Sequence, residues 1–254
     1  MLGISSKDPS VSALSFDFMQ NIQLPKTPVQ DVYYLRQLTY NLFSIQNLGQ
    51  NKSKIYTYHE GLAKKGANEV VSFIWDYIQY ELSDSVKHLH LFSDATCGQN
   101  RNNTMIRFCM SLVNSGRFES VTQYFPIRGH SFLPNDRDFA IIKRDLKKNA
   151  RIYLPKQITR MIVKHEKFIV TMVEPKDVID FDSWWPKFYK KTCIANDTSK
   201  NGIPNDEKQQ FKVTQFFHFF YSKSHEHTVL ARKLIDHTKS FSFQLFKKKK
   251  SIYL

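Results

Sequence analysis

The sequence predicts an α/β protein in which a mixed sheet carries helices on both faces. Three aromatic-rich segments with the alternation of antiparallel strands come first, and helical and strand-like segments then take turns along the chain. The composition, with 41% hydrophobic residues among 254 and 21 Phe, is typical of a chain that folds around a sizeable core. A sheet that starts as a meander and continues through helical crossovers is expected to bury both its faces under helices.

The first three strands are predicted to form an antiparallel meander. In ALSFDFMQN, Phe16 and Phe18 point to one side and Asp17 to the other, which is the period of a strand. The next two segments are rich in aromatic and β-branched residues and are separated by the polar turn GQNKS. The three predicted strands cover residues 13–21, 32–48 with its lead-in, and 54–60.

From residue 67 onwards the apolar residues recur at helical spacing, interrupted by single strands. Helices are predicted at 67–82, 103–116 and 136–148. The strands between them are predicted at 88–94 and 121–129. The predicted order of elements is therefore β-β-β-α-β-α-β-α.

Residues 151–254 are predicted to be a C-terminal elaboration that packs on a core formed by residues 10–150. A basic tail, KKKK, follows at 247–250. The elaboration is predicted to contain a helix at 154–165, strands at 167–173 and 213–223, and a polar loop at 196–209.

The net charge of +14 is the strongest property of the whole sequence. The excess of Lys and Arg is spread over segments such as 143–148 and 187–191, which favours a basic surface. Such a surface predicts a polyanionic partner, because Lys and Arg neutralise phosphates and release their counterions. The alternative is a soluble basic protein with no such partner.

Several classes of protein are disfavoured by the sequence. No apolar run approaches the length of a membrane span, and the first residues lack the pattern of a secretory signal. Cys97, Cys109 and Cys193 have neither paired nor metal-ligand spacing, which predicts reduced thiols and an intracellular protein. We expect no membrane partner and no small-molecule cofactor.

Three acids fall at the ends or starts of predicted elements. Asp17 lies within the first strand, Asp94 ends the fourth, and Asp136 begins the helix after the fifth. If the first and fourth strands are neighbours, Asp17 and Asp94 lie side by side, and the helix can bring Asp136 to them. Clustered carboxylates repel unless cations neutralise them, and oxygen ligands suit Mg²⁺ or Mn²⁺. Two such ions, roughly 3.5–4 Å apart, assist attack on a phosphodiester.

Each acid also has a structural interpretation. For Asp94 the structural alternative is a cap of the helix that follows or an Asx turn. Asp17, flanked by phenylalanines, is suited to an ion pair with a nearby Lys or Arg. We choose Asp136 over Asp138 as the third acid because Asp138 is expected on another side of the helix, exposed and stabilised by the helix dipole.

Five stretches carry a resemblance to known proteins: FDFMQNIQLP (16–25), KKGANEVVSF (64–73), SDATCGQNRNN (93–103), FPIRGHSFLPNDRDF (125–139) and FDSWWP (181–186). From about residue 13 to 192 the chain resembles a family of transposon-derived proteins, common in insect genomes, with an RNase H-like domain. The family has a pattern of an Asp, three further residues and then Gly-Gln-Asn, and residues 94–100 match it. Its Gly-His-Ser/Thr, followed by an Asp and an aromatic residue, is met at 129–139.

The resemblance implies an RNase H-like fold with the Asp-Asp-Asp/Glu core of a transposase or nuclease. Asp17, Asp94 and Asp136 would then be the catalytic acids and the ligands of two Mg²⁺ or Mn²⁺ ions. The implied reaction is cleavage and joining of DNA strands, with water as the first nucleophile and a 3′-hydroxyl as the second. No covalent protein intermediate is expected.

The nucleic acid is expected to contact polar and basic residues around these acids. Gln99 and Asn100 are suited to phosphate or base edges, although they are equally suited to satisfying the turn that contains them. His130 is suited to orient a water or contact phosphate, and a structural hydrogen bond is the alternative. The predicted nucleic-acid contacts are Gln99, Asn100, Arg101, His130, Lys143 and Arg144.

Two main hypotheses of function follow, with DNA as the partner, a nuclear location, and homo-oligomer formation left open. The first is a metal-dependent polynucleotidyl transferase or nuclease, and the second a catalytically inactive DNA-binding remnant. A nuclease of RNA–DNA hybrids is a third, because one core serves both chemistries. The first strand follows almost directly after Met1, which is expected of a truncated copy, a domesticated remnant or one half of a two-part system.

Overall fold

The computed structural model describes residues 8–126, 133–195 and 209–247. The strands are β1 (Val11–Phe18), β2 (Ile22–Leu24), β3 (Leu38–Asn47), β4 (Lys52–His59), β5 (His88–Phe92), β6 (Ser120–Tyr124), β7 (Phe168–Met172), β8 (His218–Ser222), β9 (Thr228–Arg232) and β10 (Phe241–Gln244). The helices are α1 (Ala67–Tyr80), α2 (Asn103–Asn114), α3 (Asn135–Lys148), α4 (Pro155–Val163) and the single turn α5 (Phe181–Trp184).

All ten strands belong to one mixed sheet in the order β10-β9-β8-β6-β5-β1-β3-β4-β7, with β2 beside β3. The first three long strands, β1, β3 and β4, pair antiparallel, with the order β1-β3-β4 across the sheet. On the other side of β1, strands β5 and β6 continue the sheet in parallel. The predicted α/β class and the predicted mixed sheet are confirmed.

The residues after 150 extend both edges of this sheet. Strand β7 pairs parallel with β4 at one edge. At the other edge β8 pairs antiparallel with β6, and β9 and β10 follow as a further meander. The C-terminal part therefore completes the sheet that the N-terminal part begins, and the domain boundary at residue 150 stays a prediction.

Helices cover the sheet on both faces, as the sequence predicts. Beneath α1 and α2 lies the larger apolar cluster, in which Phe43 packs against Phe16 and Phe73. On the opposite face α3 and α4 bury a second cluster that includes Phe139 and Ile162. Along β1, Leu14, Phe16 and Phe18 all belong to the larger cluster, which fixes the face that this strand turns to α1 and α2. Met19, which follows β1, belongs to the second cluster.

Some elements differ from the prediction. The segment 32–48 begins as a 3₁₀ turn, and its strand starts only at Leu38. The predicted strand 121–129 ends at Tyr124, and residues 127–132 lie outside the described part of the chain. The short strands β2, β9 and β10 are not predicted, because three to five residues give little period to detect.

Cys97, Cys109 and Cys193 are free thiols. Within the described residues, none of the helices combines the length and the apolar character that crossing a membrane requires.

Candidate functional site

The pairing of β1 with β5 decides where the first two acids lie. These strands are parallel neighbours, and their register pairs Ser15 with Phe92. Continuing this register by two residues puts Asp94, which follows the end of β5, level with Asp17. The adjacency on which the predicted pairing of these acids depends is therefore present.

The third acid is brought to the same strands by Asn135, the first residue of α3. Its buried side chain accepts a hydrogen bond from Ser15 Oγ (2.5 Å) and donates to the carbonyl oxygens of Ser15 and Ser44 (3.2 Å each). Both serines face α3 from β1 and β3. This contact holds the first turn of α3, which contains Asp136, against the strand that carries Asp17.

The pKa of Asp17 also indicates that the three acids lie close together. Burial, followed by the negative charges of Asp94 and Asp136, raises the pKa of its carboxyl from 3.8 to about 7. The backbone N–H of Phe18, which donates to Asp17 Oδ1 at 2.7 Å, and the charge of Lys65 act in the opposite direction without cancelling the shift. Three carboxylates from three elements therefore share one electrostatic environment, as clustered acids do.

Asp94 is held in an Asx turn. Its Oδ1 accepts hydrogen bonds from the backbone N–H of Thr96 (3.2 Å) and from Nδ2 of Asn100 (2.6 Å), and the Thr96 hydroxyl donates to its Oδ2. The cap of α2 is Asn102, whose side chain accepts from the N–H of Met105 (3.0 Å). Of the two structural interpretations of Asp94, the Asx turn is present and the helix cap is not.

Asp138 is buried, so the expectation that it is an exposed carboxylate was wrong. It is 0% exposed and forms an ion pair with Lys167 and a hydrogen bond with the Ser53 hydroxyl. A carboxylate can be buried here because both oxygens have partners. Asp138 therefore anchors α3 to the sheet, whereas Asp136 is only half-buried.

Lys65 is a residue of this site that sequence reasoning did not single out. Its ammonium donates to the carbonyl oxygen of Met19 (3.1 Å) and to Asn21 Oδ1 (2.8 Å), and it lies 4.7 Å from the centre of the Phe18 ring. Burial lowers the pKa of Lys65, and the charge of Asp17 opposes this. The signal was present in KKGANEVVSF, but two adjacent lysines gave no reason to choose one.

The donor set of the three acids has the chemistry of a Mg²⁺ or Mn²⁺ site, since it consists of carboxylate oxygens whose mutual repulsion a cation would relieve. In their present conformation, however, the described residues contain no group of three or more His, Cys, Asp or Glu side chains that could hold a metal ion. The hydrogen bonds that hold Asp94 in its own turn are a physical reason, because they direct its oxygens toward Thr96 and Asn100.

The residues predicted to contact nucleic acid occupy different environments. Asn100 is buried with its amide on Asp94, so it acts by positioning that acid. Gln99 is half-buried in the same turn. The guanidinium of Arg101 lies 4.4 Å from the centre of the Phe217 ring, and its Nε and Nη1 have no hydrogen-bond partner among the described residues. His130 lies outside the described residues.

Lys143 and Arg144 are both exposed on α3. Lys143 lines a groove of about 490 Å³ between this helix and the connection that leaves β1, together with Lys26 and Lys147. Lys26 donates to the carbonyl oxygens of Leu146 and Asn149, and Lys143 and Lys147 are exposed. Met19, two residues beyond Asp17, also lines this basic groove.

A family model described as a domain of unknown function, DUF7869, matches residues 31–219. The chain belongs to the DUF7869 family. The match contains Asp94, Asp136 and the groove residue Lys143, whereas Asp17 lies ahead of it. No curated protein matches the chain.

Proposed function

We propose that this DUF7869 protein is a metal-dependent polynucleotidyl transferase or nuclease of transposase descent that acts on DNA phosphodiesters. The observation that carries the proposal is the placement of Asp17, Asp94 and Asp136 together: β1 and β5 are parallel neighbours, and Asn135 holds the first turn of α3 on β1. The raised pKa of Asp17, caused by burial and by the charges of Asp94 and Asp136, agrees with this placement. Sequence reasoning selects the same three acids from positions far apart in the chain. Clustered, perturbed carboxyls of this kind are frequent at functional sites.

The topology supports an RNase H-like core. Strands β4-β3-β1-β5-β6 run in the order and directions expected for that fold, with Asp17 on the central strand. The C-terminal strands would be the elaboration. Because one fold hosts many activities, this agreement supports the site without naming its reaction.

Each residue of the site has a proposed task. Asp17, Asp94 and Asp136 would hold two Mg²⁺ or Mn²⁺ ions, which when bound would activate the attacking hydroxyl and offset the charge of the phosphate. Asn100 and Asn135 position Asp94 and α3. The groove lysines would bind the phosphates of DNA, and a DNA substrate gives the expectation of a nuclear location.

The test is nicking of supercoiled plasmid by the purified protein with Mg²⁺, Mn²⁺ or EDTA. We expect metal-dependent nicking that Asp94→Asn and Asp17→Asn each reduce about 100-fold or more, since each removes a charge from the reacting centre. Asp84→Asn is the matched control, because this exposed acid precedes β5 and lies at its opposite end. An RNA–DNA hybrid assayed in parallel distinguishes the two substrate classes.

The second candidate is an inactive DNA-binding protein that keeps the fold. It is favoured by the Asx turn that engages Asp94 and by the absence, among the described residues, of an arrangement ready to hold a metal. Binding of DNA that weakens with salt, unchanged by EDTA and without nicking under any metal, would decide for this candidate.

A further inference from the structure

One half of the sheet is covered by helices on a single face. In strands β5, β6, β8 and β9, residues such as Leu89, Val121, Phe219 and Ala231 are buried in the cluster beneath α1 and α2. On the other face, within the part of the chain that the structure describes, α3 and α4 pack on β1, β3, β4 and β7, and their apolar cluster contains no residue of β5, β6, β8 or β9. We name this second face of β5, β6, β8 and β9 the open face, because α3 and α4 do not cover it.

The open face carries a row of rings in contact with one another. Tyr124 stacks on Phe92, with ring centres 4.7 Å apart and planes 7° apart, and on His90 at 5.9 Å. His218, directly opposite Tyr124 in the register, meets it edge-on at 5.0 Å. The next strand places Arg232 opposite His218. Tyr124, His90 and Arg232 are each half-buried, so part of each is available to a ligand.

A buried polar atom on the open face has no partner. His218 is 8% exposed, and its Nδ1 has no hydrogen-bond partner among the described residues. A ring nitrogen buried without a partner costs free energy unless a ligand or water satisfies it. A ligand with hydrogen-bonding edges and flat faces would suit both this atom and the rings beside it.

The charge of the open face selects the kind of ligand. The outward residues of its four strands include no Asp or Glu, only rings, small hydroxyl residues, one leucine and Arg232; Glu119, just before β6, lies beside His88. Arg232 and the absence of carboxylates on these strands suit an anionic ligand. Because Tyr124 and Phe92 stack face to face across neighbouring strands, the edges of these rings point outward beside the cation. Flat bases with hydrogen-bonding edges and phosphates provide both kinds of partner for such a surface.

We propose that the open face binds single-stranded nucleic acid, with bases against the half-exposed rings of Tyr124 and His90 and a phosphate or base held by Arg232. The face runs into the candidate active site, because Phe92 of the ring row is two residues before Asp94. The inference rests on the proposed function only for its biological purpose, which would be to hold the strand that is separated during cleavage or joining. Its physical basis is independent of catalysis.

The experiment is fluorescence anisotropy with labelled 20-nucleotide oligo(dT), oligo(U) and a 20-base-pair duplex, all in EDTA. We expect Arg232→Gln and Tyr124→Val each to weaken binding of the single strands about tenfold and to affect the duplex less. Arg160→Gln is the matched control, because Arg160 is exposed on α4, which packs at the other end of the sheet. Comparing oligo(dT) with oligo(U) tells whether DNA or RNA is preferred.

A second measurement guards against a misfolded Tyr124→Val variant. Photocrosslinking of bromouracil-substituted oligonucleotide to the wild-type protein is expected to label peptides of β5, β6 or β8. Crosslinks confined to other elements, or single-strand affinities unchanged in Arg232→Gln, would overturn the inference. So would a wild-type dimer that Arg232→Gln dissociates, since the face would then serve a second copy of the chain.

The two proposals can fail separately. Loss of single-strand binding in these variants, with no metal-dependent nicking in the wild type, would leave this inference standing and remove the proposed function. Nicking that requires Asp94, with single-strand binding unchanged in Arg232→Gln and Tyr124→Val, would do the reverse.

Discussion

At the scale of single residues, Asp17 is the most informative side chain of the protein. It lies on β1, an interior strand of the sheet, between two phenylalanines of the core, and its carboxyl has a raised pKa because it is buried beside two further acids. An acid in this position works against folding when it is charged. A bound cation or substrate would offset the free energy that burying this charge costs, which is a thermodynamic reason to expect a functional site here.

The pH dependence of stability follows from this shift. The pKa of Asp17 rises from 3.8 to about 7 on folding, so the folded state holds the proton more tightly. This stabilisation is complete below about pH 4 and is lost as the pH rises through 7, by up to roughly 4 kcal/mol. Asp17→Asn, which keeps the acceptor for the Phe18 N–H, is expected to raise the free energy of unfolding at pH 8 by about 2 kcal/mol or more.

Urea unfolding in EDTA at pH 5 and pH 8 measures this effect, with Asp84→Asn as the control acid. A variant no more stable than the wild type at pH 8 would contradict the electrostatic account of Asp17. In the presence of Mn²⁺ the wild type should become more stable than Asp17→Asn at pH 8, because only the wild type would gain stability from binding the ion.

At the scale of elements, α3 connects stability to the site. Asn135 and Asp138 lie on the same face of its first turn and hold the helix on β1, β3 and β4, whereas Asp136, between them in the sequence, is half-buried. Two acids separated by one residue thus have different tasks. One is satisfied by Lys167 and Ser53, and the other faces the charge of Asp17.

Substitution of these two acids should separate the tasks. Asp138→Ala leaves Lys167 without its partner and is expected to cost about 3–5 kcal/mol of stability. Asp136→Ala is expected to change stability by less than about 1 kcal/mol and to remove metal-dependent nicking. Thermal unfolding measured beside the plasmid assay tests both, and equal destabilisation by the two variants would contradict this division.

The elements also show what could be predicted from the sequence. Helices α1, α2 and α3 and strands β1 and β5 were predicted because their periodicity is local. The burial of Asp138 was not, because its partner Lys167 lies on the far side of α4 in the chain and only the tertiary fold brings them together. The Asx turn of Asp94 was one of two local alternatives, and two hydrogen bonds distinguish them: the Thr96 N–H donates to Asp94, whereas Asn102 caps α2.

At the scale of the whole molecule, the charge of +14 and the single sheet determine how a polyanion could be bound. Basic residues of the groove lie on the α3 side of the acid cluster, and the ring row lies on the same face of the sheet beyond β5. A nucleic acid could therefore approach the acids from two directions. Neither surface was predicted as a unit, since each combines residues more than 80 positions apart.

The salt dependence of duplex binding should report the groove. Each neutralised phosphate contributes a slope of about −0.9 to a plot of log K against log salt concentration. The double variant Lys143→Gln, Lys147→Gln is expected to reduce this slope by about 1–2. Lys156→Gln, Lys164→Gln on α4 is the matched control, and an equal reduction in both would indicate a diffuse charge effect in place of a groove.

The late position of β8 in the chain has a consequence for folding during synthesis. Strand β6 ends at Tyr124, but its outer partner begins only at His218. A ribosome working at about 5–20 residues per second leaves that edge of β6 without its neighbour for roughly 5–20 s. During this interval the unpaired edge of β6, next to the acid-bearing β5, is accessible to other chains. We therefore expect the nascent protein to need chaperones or a low rate of synthesis to avoid aggregation.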